Sequence, residues 1–248
     1  MNKKIISAVS VVLVFALAFI FLLPVNKSSA LNPSDRKIDS VAVGILAKHP
    51  GRNGVLLLDN YMRLFGYKRI NLGEKDVLSF GAHAVPQYLN VSMYRYVYYG
   101  YPIKQKIFID FDWQNQNYET ENGPPDHVGI SWDSTKYHII DDYYTAYDDD
   151  GNSANNLMWL DNATSDTAEW GLYEKGFLHN GVDHGAGVVT LVNNNSYDSN
   201  VTTVYGKYLH IYNTGSVGIS TGYPFVMQVT YSTGNVESWS IAKYLYGN

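Results

Sequence analysis

From residue 34 onward the apolar positions keep two different rhythms. Over 34–48, Ile38, Val41, Ile45 and Leu46 recur at helical spacing, Ser34 can cap the start and Pro50-Gly51 ends the run, so the pattern predicts one helix. Beyond it the rhythm shortens. Residues 55–58, 88–99, 106–112, 127–132, 137–140, 188–192, 202–212, 216–220, 224–231 and 236–241 are short runs rich in Val, Ile, Thr and Tyr, separated by Asn, Gly, Asp and Ser clusters. Such runs predict the antiparallel strands of a sandwich or barrel. Over 88–98 the alternation is plain, with Tyr88, Asn90 and Ser92 opposing Leu89, Val91 and Met93. The stretches 141–156 and 193–200 are too polar for core and read as loops. With no repeat of fixed period and no linker, 31–248 reads as a single all-β domain carrying a short N-terminal helical extension.

The chain opens with Met1-Asn2-Lys3-Lys4, an apolar run over 5–25, then Lys27 and the small residues Ser28 and Ala30. These are the parts of a secretory signal, so 1–30 is expected to be an export segment, cleaved after Ala30 or kept as an anchor. A secreted or cell-surface protein follows, touching a membrane only through that segment if it is uncleaved. The formal charge is −5, and loss of Lys3, Lys4 and Lys27 makes it more negative, which disfavours nucleic acid and anionic lipid as partners. Cysteine is absent, so stability must come from packing, with or without bound metal ions, and not from crosslinks.

Candidate chemistry concentrates between Lys106 and Ser134. Asp110 and Asp112 are two apart on a predicted strand, so their carboxylates leave one face of the sheet. Two like charges buried side by side call for a cation or a cationic side chain. The loop that follows supplies Asn115, Asn117, Glu119, Glu121, Asp126 and His127. Oxygen ligands with one imidazole suit Ca²⁺ beside Mn²⁺. The plainer alternative is a solvated acidic face with His127 capping a strand.

Ile109-Asp110-Phe111-Asp112, the polar loop, and His127-Val128-Gly129-Ile130-Ser131-Trp132-Asp133-Ser134 resemble the Glu-Phe-Asp strand and His-Ile-Gly-Ile-Asp-x-Asn-Ser segment of the L-type (legume-like) lectins. Val217-Gly218-Ile219-Ser220-Thr221-Gly222 and Glu237-Ser238-Trp239-Ser240-Ile241 resemble that family's closing Val-Gly-Phe-Ser, Thr-Gly and Ser-Trp-Ser-Phe. The resemblance implies a concanavalin-like jelly roll that binds carbohydrate or glycoconjugate through a loop stiffened by Ca²⁺ and Mn²⁺. On it, Asp110, Asp112, Asn115, Glu121 and His127 become the metal ligands. Carbohydrate would be met by Trp113, Asn115, Asn117, Thr221, Gly222 and Tyr223.

Two alternatives stand beside it, an inert structural cell-surface sandwich and a glycoside hydrolase. Asn156-Leu157-Met158-Trp159-Leu160 is similar to the nucleophile strand of secreted endoglucanases of the same architecture, with Asn in place of the carboxylate. Glu169 beside Trp170 is the best remaining glutamate, in a segment read as a loop. His179-Asn180-Gly181-Val182-Asp183-His184 reads as a polar turn, and Asp148-Asp149-Asp150-Gly151-Asn152 as an acidic turn.

Overall fold

The computed structural model describes residues 34–70, 74–79, 89–114, 124–173, 181–195, 202–212, 215–224, 227–234 and 237–246. Two helices come first, α1 (Asp35–Lys48) and α2 (Arg52–Leu64). The strands are β1 (Lys68–Arg69), β2 (Glu74–Ser79), β3 (Leu89–Tyr98), β4 (Lys104–Trp113), β5 (Asp126–Ser131), β6 (Tyr137–Tyr147), β7 (Met158–Ala163), β8 (Thr167–Leu172), β9 (His184–Asn193), β10 (Val204–Tyr212), β11 (Gly215–Thr221), β12 (Met227–Gly234) and β13 (Glu237–Leu245). One antiparallel sheet has the order β1-β3-β4-β9-β6 and the other β2-β13-β10-β5-β8-β7, while β11 and β12 form a separate hairpin. Among the described residues no helix is long and apolar enough to cross a membrane.

The two sheets share one buried core, to which Leu89, Val91 and Met93 of β3 and Ile107, Ile109 and Phe111 of β4 contribute every second residue. The other sheet answers with Val128 and Ile130 of β5, Trp170 and Leu172 of β8, and Tyr208 of β10. This is the all-β sandwich that the strand rhythm predicts; Tyr88 lies outside the described residues, and from Leu89 to Tyr94 the expected alternation is the one observed. A glycine lets the layers close. A Cβ placed on Gly187 of β9 would lie 2.7 Å from the Trp170 ring, so the indole occupies the space a side chain would need.

Residues 55–58 form part of α2 and not the strand expected of them. Val55, Leu58 and Met62 are buried while Leu56 and Leu57 are exposed, a spacing of three and four that a continuous apolar run conceals. β6 likewise runs into the stretch 141–156 expected to be loop. Its acids are tolerated because Asp141 faces the helical layer, where Arg36 of α1 reaches it at 3.3 Å.

The helices cover the outer face of the five-stranded sheet. Ile38, Ala42, Val43 and Leu46 of α1 and Leu58 and Met62 of α2 cluster with Tyr96, Phe108 and Val188. Inside this layer Lys106 of β4 lies 2.6 Å from Asp39 of α1, both fully buried, and donates to the Thr190 hydroxyl at 2.7 Å. Thr190 in turn donates to Asp39 at 2.7 Å, and Lys104 holds Asp35 at 2.5 Å. The extension expected from the sequence is thus ionically keyed to the sheet.

Candidate functional site

Asp110 and Asp112 do leave β4 on one face, as their spacing predicts. Ile109 and Phe111 between and beside them enter the inter-sheet core, so the acids point to the opposite, helix-covered side. His127 does not join them. It belongs to β5 in the other sheet, next to the core residue Val128, and its ring leaves the far wall of the sandwich. The expected convergence of Asp110, Asp112 and His127 on one cation is therefore corrected: sheets packed face to face stand about 10 Å apart, and these groups point away from each other. Asp126 is engaged in the interior, accepting from the Tyr208 hydroxyl at 2.7 Å and the Ile211 N–H at 2.9 Å, with His210 Nδ1 at 2.8 Å. Asn115, Asn117, Glu119 and Glu121 lie outside the described residues.

The imidazole that Asp112 meets is His184, its direct partner across β4 and β9. Donor atoms of Asp112, Asp183 and His184 fall within 4.8 Å of one another. These groups already serve each other: His184 Nδ1 is 2.9 Å from Asp183, its ring stacks on Tyr147, and the Gln114 amide donates to Asp112. Burial holds the Asp112 carboxyl above its ordinary range, with His184 pulling it down and Asp183 pushing it further up. Trp113, expected to touch sugar, packs edge-on against Tyr208 and His210 and against the inter-sheet core.

The second cluster is on the outer wall of the six-stranded sheet. β5, β8 and β7 are neighbours there, and Val128, Trp170 and Met158 mark their inward faces. The residues that alternate with these, His127, Glu169, Gly171 and Trp159, face out. A bulge between Leu160 and Asn162 inserts Asp161 as an extra residue and brings its carboxylate alongside. His127 Nδ1 is 2.7 Å from Glu169 Oε1 and 3.8 Å from Asp161, and the donor atoms of all three lie within 4.8 Å. Glu169 is only 2 % exposed, so the loop expected around it is a buried strand instead. Although close, Nδ1 and Oε1 are out of line for a hydrogen bond, and neither makes a hydrogen bond elsewhere. Each such buried polar atom costs about 1–3 kcal/mol.

Aromatic rings flank this cluster. The indole of Trp159 lies over Gly171, where a Cβ would come within 2.5 Å of the ring. Its Nε1 donates to Asp161 at 3.1 Å, and Tyr173, half exposed, packs against it at 5.2 Å between centroids. The β11–β12 hairpin lies against another part of the same wall. Met227 joins Leu209 and Ile211 of β10 in a small apolar cluster, and Lys207 donates to the Met227 carbonyl at 2.6 Å, its ammonium pKa lowered by burial. Asn162 donates to the Thr221 hydroxyl at 2.8 Å and the Tyr223 N–H to Asp166 at 3.2 Å. Of the residues assigned to sugar, Thr221, Gly222 and Tyr223 therefore share this wall with His127, while Trp113 does not.

Asp161, Trp159 and Glu169 were the residues that sequence reasoning did not assemble. The signal was present in Trp159-Leu160-Asp161 and Glu169-Trp170-Gly171, but the bulge hides the register that brings them together. The acidic turn at Asp148 is self-contained, its carboxylate accepting from the N–H groups of Asp150 and Asn152.

The sequence matches no protein-family model and no curated protein. Among solved structures it is similar to a chain of the CaDoc0917–CaCohA2 complex, a cohesin–dockerin pair crystallised at pH 5.5. The similarity has a TM-score of 0.30 at 12 % identity, over 51 % of this chain and 75 % of that one. A likeness of that size carries no argument about fold or partner.

Proposed function

We propose that this is an exported, carbohydrate-binding protein of the concanavalin-like, jelly-roll kind, whose recognition surface is the outer wall of the six-stranded sheet. The observation that carries the reading is the seat of Trp159 on Gly171, beside Tyr173 and the part-exposed carboxylate of Asp161. Rings laid along a sheet give a pyranose an apolar surface to stack on, and adjoining carboxylate and amide groups accept and donate to its hydroxyls. Because the backbone beneath is a paired strand, little ordering is lost on binding. The apolar leader supports export, and the acidic balance supports a neutral or glycoconjugate ligand over a polyanion.

One observation favours a hydrolytic second reading: Glu169 and Asp161 bring carboxylate oxygens within 4.8 Å, near the roughly 5 Å separation of retaining glycosidases. Burial of Glu169 behind His127 places its carboxylate out of reach of a glycosidic bond, so binding is preferred.

The test is a glycan array followed by calorimetry on any sugar that binds. Trp159→Ala is expected to weaken binding at least roughly tenfold, as loss of a buried aromatic anchor does, with Asp112→Ala neutral. Equal affinity in Trp159→Ala, or release of reducing sugar by the wild type, rejects the binding reading.

A further inference from the structure

We propose that His127, Glu169 and Asp161 form a binding site for a first-row divalent cation of the Zn²⁺ or Mn²⁺ type. The inference stands on the geometry of these three side chains and not on the sugar reading, so either can fail alone.

Three features point to a cation. The donor atoms of an imidazole and two carboxylates converge within 4.8 Å, close to the span of ligands arranged around an ion with bonds of about 2.1 Å. Glu169 is buried on the floor of the group, and its Oε1 has no hydrogen bond there. His127 Nδ1, nine-tenths buried, likewise makes no hydrogen bond although it approaches that oxygen to 2.7 Å. Two atoms so close yet not aligned along an N–H axis are disposed as neighbouring ligands of a third centre. The other cluster lacks this property, since His184 is already bonded to Asp183 and Asp112 to Gln114.

The donor set selects the ion. One imidazole and two carboxylates are too few oxygens for Ca²⁺, which takes six to eight, and Mg²⁺ prefers oxygen and water. Zn²⁺ and Mn²⁺ accept mixed nitrogen and oxygen ligands. The side chain of Asp161 is 44 % exposed, so the site is open on the side of Trp159 and keeps a coordination position for water or a ligand hydroxyl.

The bulge explains how the fold assembles the set. His127 and Glu169 project from adjacent strands at positions fixed by the ladder, whereas Asp161 reaches them only because one residue is inserted into β7.

The full chain, stripped with chelator, is titrated with Zn²⁺ and with Mn²⁺ by calorimetry, and with Co²⁺ by visible absorption. A single saturable site is expected, with a Co²⁺ d–d band. Glu169→Gln should weaken uptake roughly a hundredfold or more and Asp161→Asn at least about tenfold, as loss of a ligand requires, while Asp112→Asn leaves it unchanged. Asp161 is part-exposed, so its variant decides the matter even where Glu169→Gln fails to fold. No saturable uptake by the wild type overturns the proposal. Uptake that survives Asp161→Asn and vanishes in Asp112→Asn overturns it as well.

Discussion

Trp170 of β8 fills the space above Gly187 of β9, so that a Cβ on the glycine would stand 2.7 Å from the indole. The two residues belong to opposite sheets, and this contact sets how closely the sheets approach. Gly187→Ala is expected to cost about 1–3 kcal/mol, the usual penalty of overpacking a fixed core. Gly44 in α1 has nothing within 4 Å of its Cβ position, and Gly44→Ala should instead stabilise by up to about 1 kcal/mol. Urea unfolding of the two variants checks both signs, and a stabilised Gly187→Ala would refute the account of sheet spacing.

The buried pair of Lys106 and Asp39 gives an asymmetric expectation. Asp39→Ala leaves the buried Lys106 ammonium with only the more distant, part-exposed Asp35 carboxylate at 3.4 Å, and should destabilise by about 3 kcal/mol. Replacing both partners by Met and Leu should recover most of that loss. A double variant no more stable than the single one would show that the pair contributes more than neutralisation. Chemical denaturation measures all three.

Arg95 of β3 is fully buried, and none of its guanidinium nitrogens has a hydrogen-bond partner. Burial pushes its pKa down to about 10. A group whose folded pKa is depressed stabilises only above its unfolded value and loses that contribution as pH falls through the folded one. At neutral pH the charge is therefore a net cost, and Arg95→Met should raise stability by about 1–3 kcal/mol. Its advantage should shrink as pH rises above about 10. Thermal unfolding across that range tests the sign.

Asp112 behaves in the opposite sense. Its raised pKa means that the folded state holds the proton more tightly, so its stabilising contribution is complete below the unfolded value of 3.8 and is lost as pH rises through the folded pKa. Relative to Asp112→Asn, the wild type should therefore weaken on passing from acid to neutral pH. A difference that stays flat across that interval would contradict the burial argument.

Sheet-forming segments were legible wherever one face was wet. The alternation of Leu89, Val91 and Met93 announced β3 and its inner face, and the same rule set Asp110 and Asp112 side by side. It failed where both faces are covered. β8 is buried throughout, under the inter-sheet core on one side and the outer-wall cluster on the other, so Glu169 looked like a loop residue. It failed again for α2, whose apolar run mimics a strand until its burial is seen. The site was harder still, because adjacency in sequence does not say which sheet a strand joins. β4 and β5 follow each other along the chain yet lie in different layers, which separates His127 from the acids it was expected to assist. Its carboxylate neighbours come from a strand pair whose register only the bulge establishes.

The layer built by α1 also defines where this protein can be trimmed. A version starting after Lys48 would lose Asp35 and Asp39 together, and a protease that clipped the helix would strand Lys104 and Lys106 without counter-ions on bare apolar sheet. What resembles a tail in the primary sequence is a wall of the building, and the smallest self-sufficient fragment must begin ahead of it.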